Sequence, residues 1–181
     1  MLDHDQRFKL LIQEFFAEFL QLFFPLLAAR FDFSRIQWLD KEVFVDPPAG
    51  QRGYMDLVAE LPTREPVPGQ RANEADSLLA LVHVEIEQAD SVESFRSRMF
   101  QYYEQLRRRY GLPVLPIALY LQVGLDGIGR DTYEEHFWEM RTLSFEYLYV
   151  GLPALNAAEY ANGDNALGNA LSALTRAPED K

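Results

Sequence analysis

The stretch that decides the fold is Leu78-Leu79-Ala80-Leu81-Val82-His83-Val84-Glu85-Ile86-Glu87-Gln88. Its first five residues are an unbroken apolar run, the pattern of a strand covered on both faces. From Val82 onward the period of two sets His83, Glu85 and Glu87 on one face and Val82, Val84 and Ile86 on the other. The reading is a buried strand whose far end emerges into a polar pocket. Residues 91–110 then change to a helical period. Ser91 is an N-cap residue, Phe95, Met99, Tyr102, Tyr103, Leu106 and Tyr110 make one apolar stripe, and Gly111 and Pro113 close the helix. Residues 114–123 are apolar again. Strand, helix and strand in that order form a crossover unit, which requires a parallel pair and a right-handed connection.

Upstream, residues 54–61 alternate imperfectly, with Met55, Leu57 and Ala59 on one side and Tyr54, Asp56, Val58 and Glu60 on the other, as in a strand ended by Pro62. Residues 62–76 hold three prolines and no apolar period, and read as a connecting loop. Residues 36–45, rich in β-branched and aromatic side chains, form the first predicted strand and stop at Asp46-Pro47-Pro48-Ala49-Gly50. Residues 5–24 carry Phe8, Leu11, Ile12, Phe15, Phe16, Phe19, Leu22 and Phe23 on one helical face, with Asp5 as cap and Pro25 as stop. Downstream, a turn is expected at 124–129, a short helix at 132–140, a strand at 143–150 and two short helical pieces within 153–174. Residues 1–175 thus read as a single α/β domain, a mixed sheet flanked by helices, followed by a polar tail at 176–181 expected to be disordered.

Composition narrows the chemistry. The 181 residues include no cysteine, which removes disulfides, thiolate catalysis and Cys-based zinc sites. Seventeen Lys and Arg against 28 Asp and Glu give a net charge of −11, which opposes non-specific binding to nucleic acid. The N-terminal residues lack the basic start and apolar core of a secretory signal, and the apolar stretch around residues 15–27 falls short of the ~20 residues of a membrane span. A cytoplasmic location without membrane attachment is expected.

The informative chemistry is acidic. Asp56 lies within a predicted strand, where acids are disfavoured, and Glu85 and Glu87 share a face of another. Carboxylates from neighbouring strands that meet in one cleft suit a hard cation such as Mg²⁺ or Mn²⁺, which orients phosphate and lowers the pKa of bound water. The same acids also suit an ordinary role as strand-end partners of Arg96 or Arg98.

Residues His4-Asp5 with Phe8-Lys9, then Trp38-Leu-Asp-Lys-Glu42, Tyr54-Met-Asp56-Leu-Val, Val82-His-Val-Glu85-Ile-Glu87 and Arg98-Met-Phe-Gln-Tyr-Tyr103, followed by Tyr110-Gly-Leu-Pro-Val114, resemble the PD-(D/E)xK nuclease superfamily. Within it they are most similar to the recombination-promoting, transposase-like nuclease group. The resemblance spans about residues 3–125. It implies a restriction-endonuclease-like fold and Mg²⁺- or Mn²⁺-dependent hydrolysis of DNA, with Asp56 and Glu85 as metal ligands. It also implies a further ligand from the first helix, for which Glu18 is the first candidate and Glu14 the second. At the position where the superfamily commonly has lysine, or glutamine in many relatives of this group, the chain has Glu87, which cannot supply a positive charge. Glu87 then serves as a ligand or general base, or catalysis is lost and the fold serves in protein or nucleic-acid binding. His83, Arg96 and Arg98 are the candidate substrate contacts. A homodimer is compatible with cutting two strands, although no leftover apolar stripe demands one.

Overall fold

The computed structural model describes residues 4–39, 57–68, 78–87, 92–121, 124–152, 155, 165 and 167–169. Its centre is the crossover unit read from the sequence. Strand β3 (Leu79–Glu87) leads into helix α4 (Val92–Tyr110), which returns to β4 (Val114–Tyr120), and the two strands pair in parallel from Leu81↔Val114 to Glu87↔Tyr120. Before this unit come helices α1 (His4–Glu14), α2 (Phe16–Phe23) and α3 (Pro25–Ala28), a short β1 (Gln37–Trp38) and β2 (Leu57–Pro62). After it come β5 (Gly127–Phe137) and β6 (Met140–Gly151). The strands form one mixed six-stranded sheet in the order β1-β2-β3-β4-β6-β5. Only the β3/β4 and β4/β6 pairs are parallel.

Alternation along β3 distributes the two faces of the sheet. Val82, Val84 and Ile86 join Leu57, Ala59 and Leu61 of β2 in a core with Ile12, Phe16, Phe19, Leu20 and Phe23 of α1 and α2. On the opposite face Phe95 and Met99 of α4 pack on Ala118, Tyr120, Phe145 and Tyr147, while Tyr102 and Leu106 pack on Val58 and Leu81. The chain is therefore a mixed α/β protein with helices on both sheet faces, at this coarse level the arrangement expected of a restriction-endonuclease-like fold.

Several local expectations are corrected. The helix expected at 5–24 is two helices. The chain bends at Phe15, although Phe15 N–H still donates to Leu11 O at 3.0 Å and Phe15 O still accepts from Phe19 N–H at 2.8 Å. Asp5 falls inside α1 rather than before it, and Pro25 opens α3, where its missing N–H costs nothing. Of the strand expected at 36–45, the described part is β1 alone. Of that expected at 54–61, the described part begins at Leu57 and runs to Pro62. The strand expected at 114–123 ends at Tyr120. The helix expected at 132–140 is a strand, the outer half of a β5–β6 hairpin that turns at Trp138-Glu139. Its acidic composition misleads because much of the hairpin is solvated, so only alternate positions near its base carry a burial signal. Gly151, near the hairpin base, is required by close approach: a Cβ there would lie 1.8 Å from Leu125 O. Residues 170–181, including the expected tail, lie outside the described residues, as does most of 153–174.

Candidate functional site

The face of β3 that looks toward α4 carries His83, Glu85 and Glu87, and all three are buried, at 0%, 4% and 5% exposure. The polar end of the strand is thus covered rather than open to a solvated pocket. Burying two carboxylates is costly without a compensating cation, and α4 provides one. Arg98 lies in the second turn of the helix and reaches both acids. Its Nε is 3.7 Å from Glu85 Oε1, and its Nη2 donates to Glu87 Oε2. On its other side the guanidinium sits 5.0 Å from the centre of the Phe95 ring. His83 Nε2 lies 3.1 Å from Glu85 Oε2, a separation at which a ring N–H donates to the carboxylate. The Tyr102 ring holds the imidazole edge-on, with centroids 5.7 Å apart. Two acids, one guanidinium and one imidazole are therefore assembled at the C-terminal end of a parallel strand, the end at which open α/β sheets ordinarily bind ligands.

The remaining expected site residues fall elsewhere. Asp56 lies outside the described residues. Its chain neighbour Leu57 pairs with Val84, one residue before Glu85. Glu18 is on α2, which covers the face lined by Val82, Val84 and Ile86, so the sheet stands between that helix and the face carrying Glu85 and Glu87. Its carbonyl accepts from Asn165 Nδ2 at 3.0 Å. Glu14 is the last residue of α1. Arg96 makes a two-pronged pair with Asp131 of β5, Nε to Oδ2 at 2.8 Å and Nη2 to Oδ1 at 2.9 Å. Its guanidinium ties the helix to the hairpin.

This second polar group was not legible in the sequence. Tyr147 OH donates to Asp131 Oδ2 at 2.6 Å, and Tyr120 OH lies 3.4 Å from Tyr147 OH. Burial pushes the Asp131 carboxyl up, but the hydrogen bonds from Arg96 and Tyr147 outweigh it and hold the group below its ordinary 3.8. Burial raises both tyrosines, and for Tyr147 the Asp131 carboxylate adds to it, so the hydroxyls stay protonated. Tyr120 is also the register partner of Glu87, which places the two polar groups side by side on one sheet face. The sole sequence signal for Asp131 is an acid opposite Tyr147, visible only once the hairpin register is known.

Among the described residues, no three His, Asp or Glu side chains form a group that could hold a metal ion. Glu85 and Glu87 are hard oxygen donors of the kind Mg²⁺ and Mn²⁺ take, and Asp56, the further ligand that the resemblance implies, lies outside the described residues. No helix among the described residues is long and apolar enough to cross a membrane. Comparison of the chain with protein-family models, with curated proteins and with solved structures found no match.

Proposed function

We propose that the α4-facing end of β3 is a divalent-cation site for hydrolysis of phosphodiester bonds in DNA, as the resemblance to the PD-(D/E)xK nucleases implies. The observation that carries this reading is the pair of carboxylates Glu85 and Glu87, buried together at the C-terminal end of a parallel strand beside one guanidinium. Asp56 and Glu85 are the ligands in this reading, and bound Mg²⁺ or Mn²⁺ supplies charge stabilisation on phosphate and a more acidic water. His83 orients Glu85. Arg98 provides beside Glu87 the fixed positive charge that Glu87 itself lacks. The test is nicking of supercoiled plasmid by the purified chain with Mg²⁺ or Mn²⁺. Activity that requires the cation and disappears in both Asp56→Ala and Glu85→Ala supports the reading, and activity that survives either substitution overturns it.

One observation favours a second reading, in which the fold serves in binding without catalysis. Arg98 already spans both carboxylates, so they are neutralised in part without any added cation. Calorimetric titration with Mn²⁺ separates the two. Saturable binding that Asp56→Ala abolishes supports the nuclease, and absence of binding supports the non-catalytic module.

A further inference from the structure

The two edges of the sheet differ. Among the described residues one edge is the two-residue β1, while the other is β5, eleven residues long and paired to β6 along one side. Long edge strands are ordinarily blunted by proline, by charged side chains, lysine above all, or by a bulge. β5 has neither proline nor lysine, and its charged Arg130, Asp131 and Glu134 are each engaged within the copy, by Glu146, Arg96 and Arg141 in turn. The register shift near its end is absorbed by β6, where Thr142 is the extra residue between Arg141 and Leu143. The pairing of β6 with β4 covers only Leu148 to Gly151, so the outer hairpin extends past the body of the sheet. Of the seven large apolar side chains exposed among the described residues, four belong to this hairpin: Ile128, Phe137, Trp138 and Met140. Glu134, Glu135 and Glu139 near its tip oppose an anionic partner such as a duplex or a lipid surface.

We propose that β5 is a self-association edge, at which two copies of this chain pair antiparallel about a two-fold axis through Thr132. An axis normal to the sheet sets each residue against the one equally far beyond the axis, on the same face. Thr132 is the middle of the eleven residues, so this register uses the whole strand. It puts Arg130 opposite Glu134 of the second copy, twice by symmetry, and no two like charges face each other. Within one copy Arg141 pairs with Glu134 at 2.8 Å and Arg130 with Glu146 at 3.3 Å. The pairing joins these into an alternating ladder of Arg141, Glu134, then Arg130 and Glu146 of the second copy. Phe137 falls opposite Gly127 of the second copy, where the space beside the glycine is open within 4 Å. Aromatic cover of an edge glycine is a favourable cross-strand pair. The neighbouring registers lack this fit: centring on residue 131 sets Asp131 against itself, and centring on 133 sets Asp131 against Glu135.

Sedimentation of the full chain between about 1 and about 100 µM tests the assembly. A monomer–dimer equilibrium is expected, weakened about tenfold or more by R130E and by E134R. An equal mixture of the two variants is expected to recover the dimer, because each reversed charge then meets its opposite. Both side chains are exposed, and circular dichroism verifies that the variants fold. The absence of cysteine allows a second readout, since T132C is the only thiol in its chain. Opposed Cα atoms in antiparallel strands lie ~4.5–5.5 Å apart, within disulfide range, whereas two copies of S144C on β6 are separated by three strand spacings across the sheet and four residues along it, ~20 Å. T132C is expected to cross-link under oxidation and S144C is not. A wild-type monomer throughout the range, a mixture no tighter than its components, or equal cross-linking of both thiols overturns the proposal.

Discussion

Arg98 is the residue on which the buried acids depend. Its two partners have side-chain exposures of 5% and 7%, so neither carboxylate has water to replace a lost guanidinium. Arg98→Met keeps the aliphatic stem and removes the charge. It is expected to lower the unfolding free energy by about 3–5 kcal/mol in urea denaturation, the range for breaking one side of a buried ion pair. A loss below about 1 kcal/mol would show that water reaches the acids and that the pair is weak. Asp131 gives a prediction in pH. Its folded pKa is depressed, so its contribution to stability is complete above 3.8 and is lost as pH falls through the depressed value. Tyr147→Phe removes a hydrogen bond to that carboxylate and is expected to cost about 1.5–3 kcal/mol at neutral pH. The difference between variant and wild type should shrink as the pH falls below 3.8, and a difference that stays constant through acid would place the stabilisation elsewhere.

At the scale of elements, the crossover unit was legible because the sequence changes period twice, from two to 3.6 and back, around Ser91 and Gly111. The face shared by His83, Glu85 and Glu87 was legible for the same reason. The ion pairs that occupy it were legible only as one of two roles for the acids, with Arg96 or Arg98 as partner, and it is Arg98 that meets them because the choice depends on how α4 is rotated over the sheet. Arg98 meets acids eleven and thirteen residues away in sequence, and Arg96 an acid thirty-five residues away. The β5–β6 hairpin was hidden for a different reason. Its turn is Trp138-Glu139, not an Asn-Gly or Asp-Gly pair, and Trp138 is held at φ 55°, a left-handed conformation that costs a side-chain-bearing residue about 1–2 kcal/mol. Trp138 is 83% exposed, so little burial is lost when it is replaced. Trp138→Gly is therefore expected to raise the unfolding free energy by about 0.5–1 kcal/mol in chemical denaturation, after the lost contact with the Phe137 ring is deducted. A lower stability would mean that the ring contact outweighs the strain.

At the scale of the whole molecule, the negative charge and the local arginines act at different ranges. The net charge of −11 weakens any approach to DNA, while α4 concentrates Arg96, Arg98, Arg107, Arg108 and Arg109 along one helix. Those near its end are spent locally: Arg107 Nη1 donates to Leu112 O at 2.7 Å and Arg108 pairs with Glu104 at 2.5 Å. The order of the strands has a further consequence for how a paired molecule would work. β3 is the fourth strand from the β5 edge, so joining two copies there separates their β3 strands by seven spacings, about 34 Å, and points them in opposite directions. The two acidic sites then lie at opposite ends of a continuous twelve-stranded sheet, and one straight duplex cannot reach both. With the proposed hydrolytic chemistry, such a molecule breaks one strand per encounter. Supercoiled plasmid should pass first to the open circle, with linear DNA appearing only after many independent nicks, and linear DNA rising together with the open circle from the first time points would contradict that geometry.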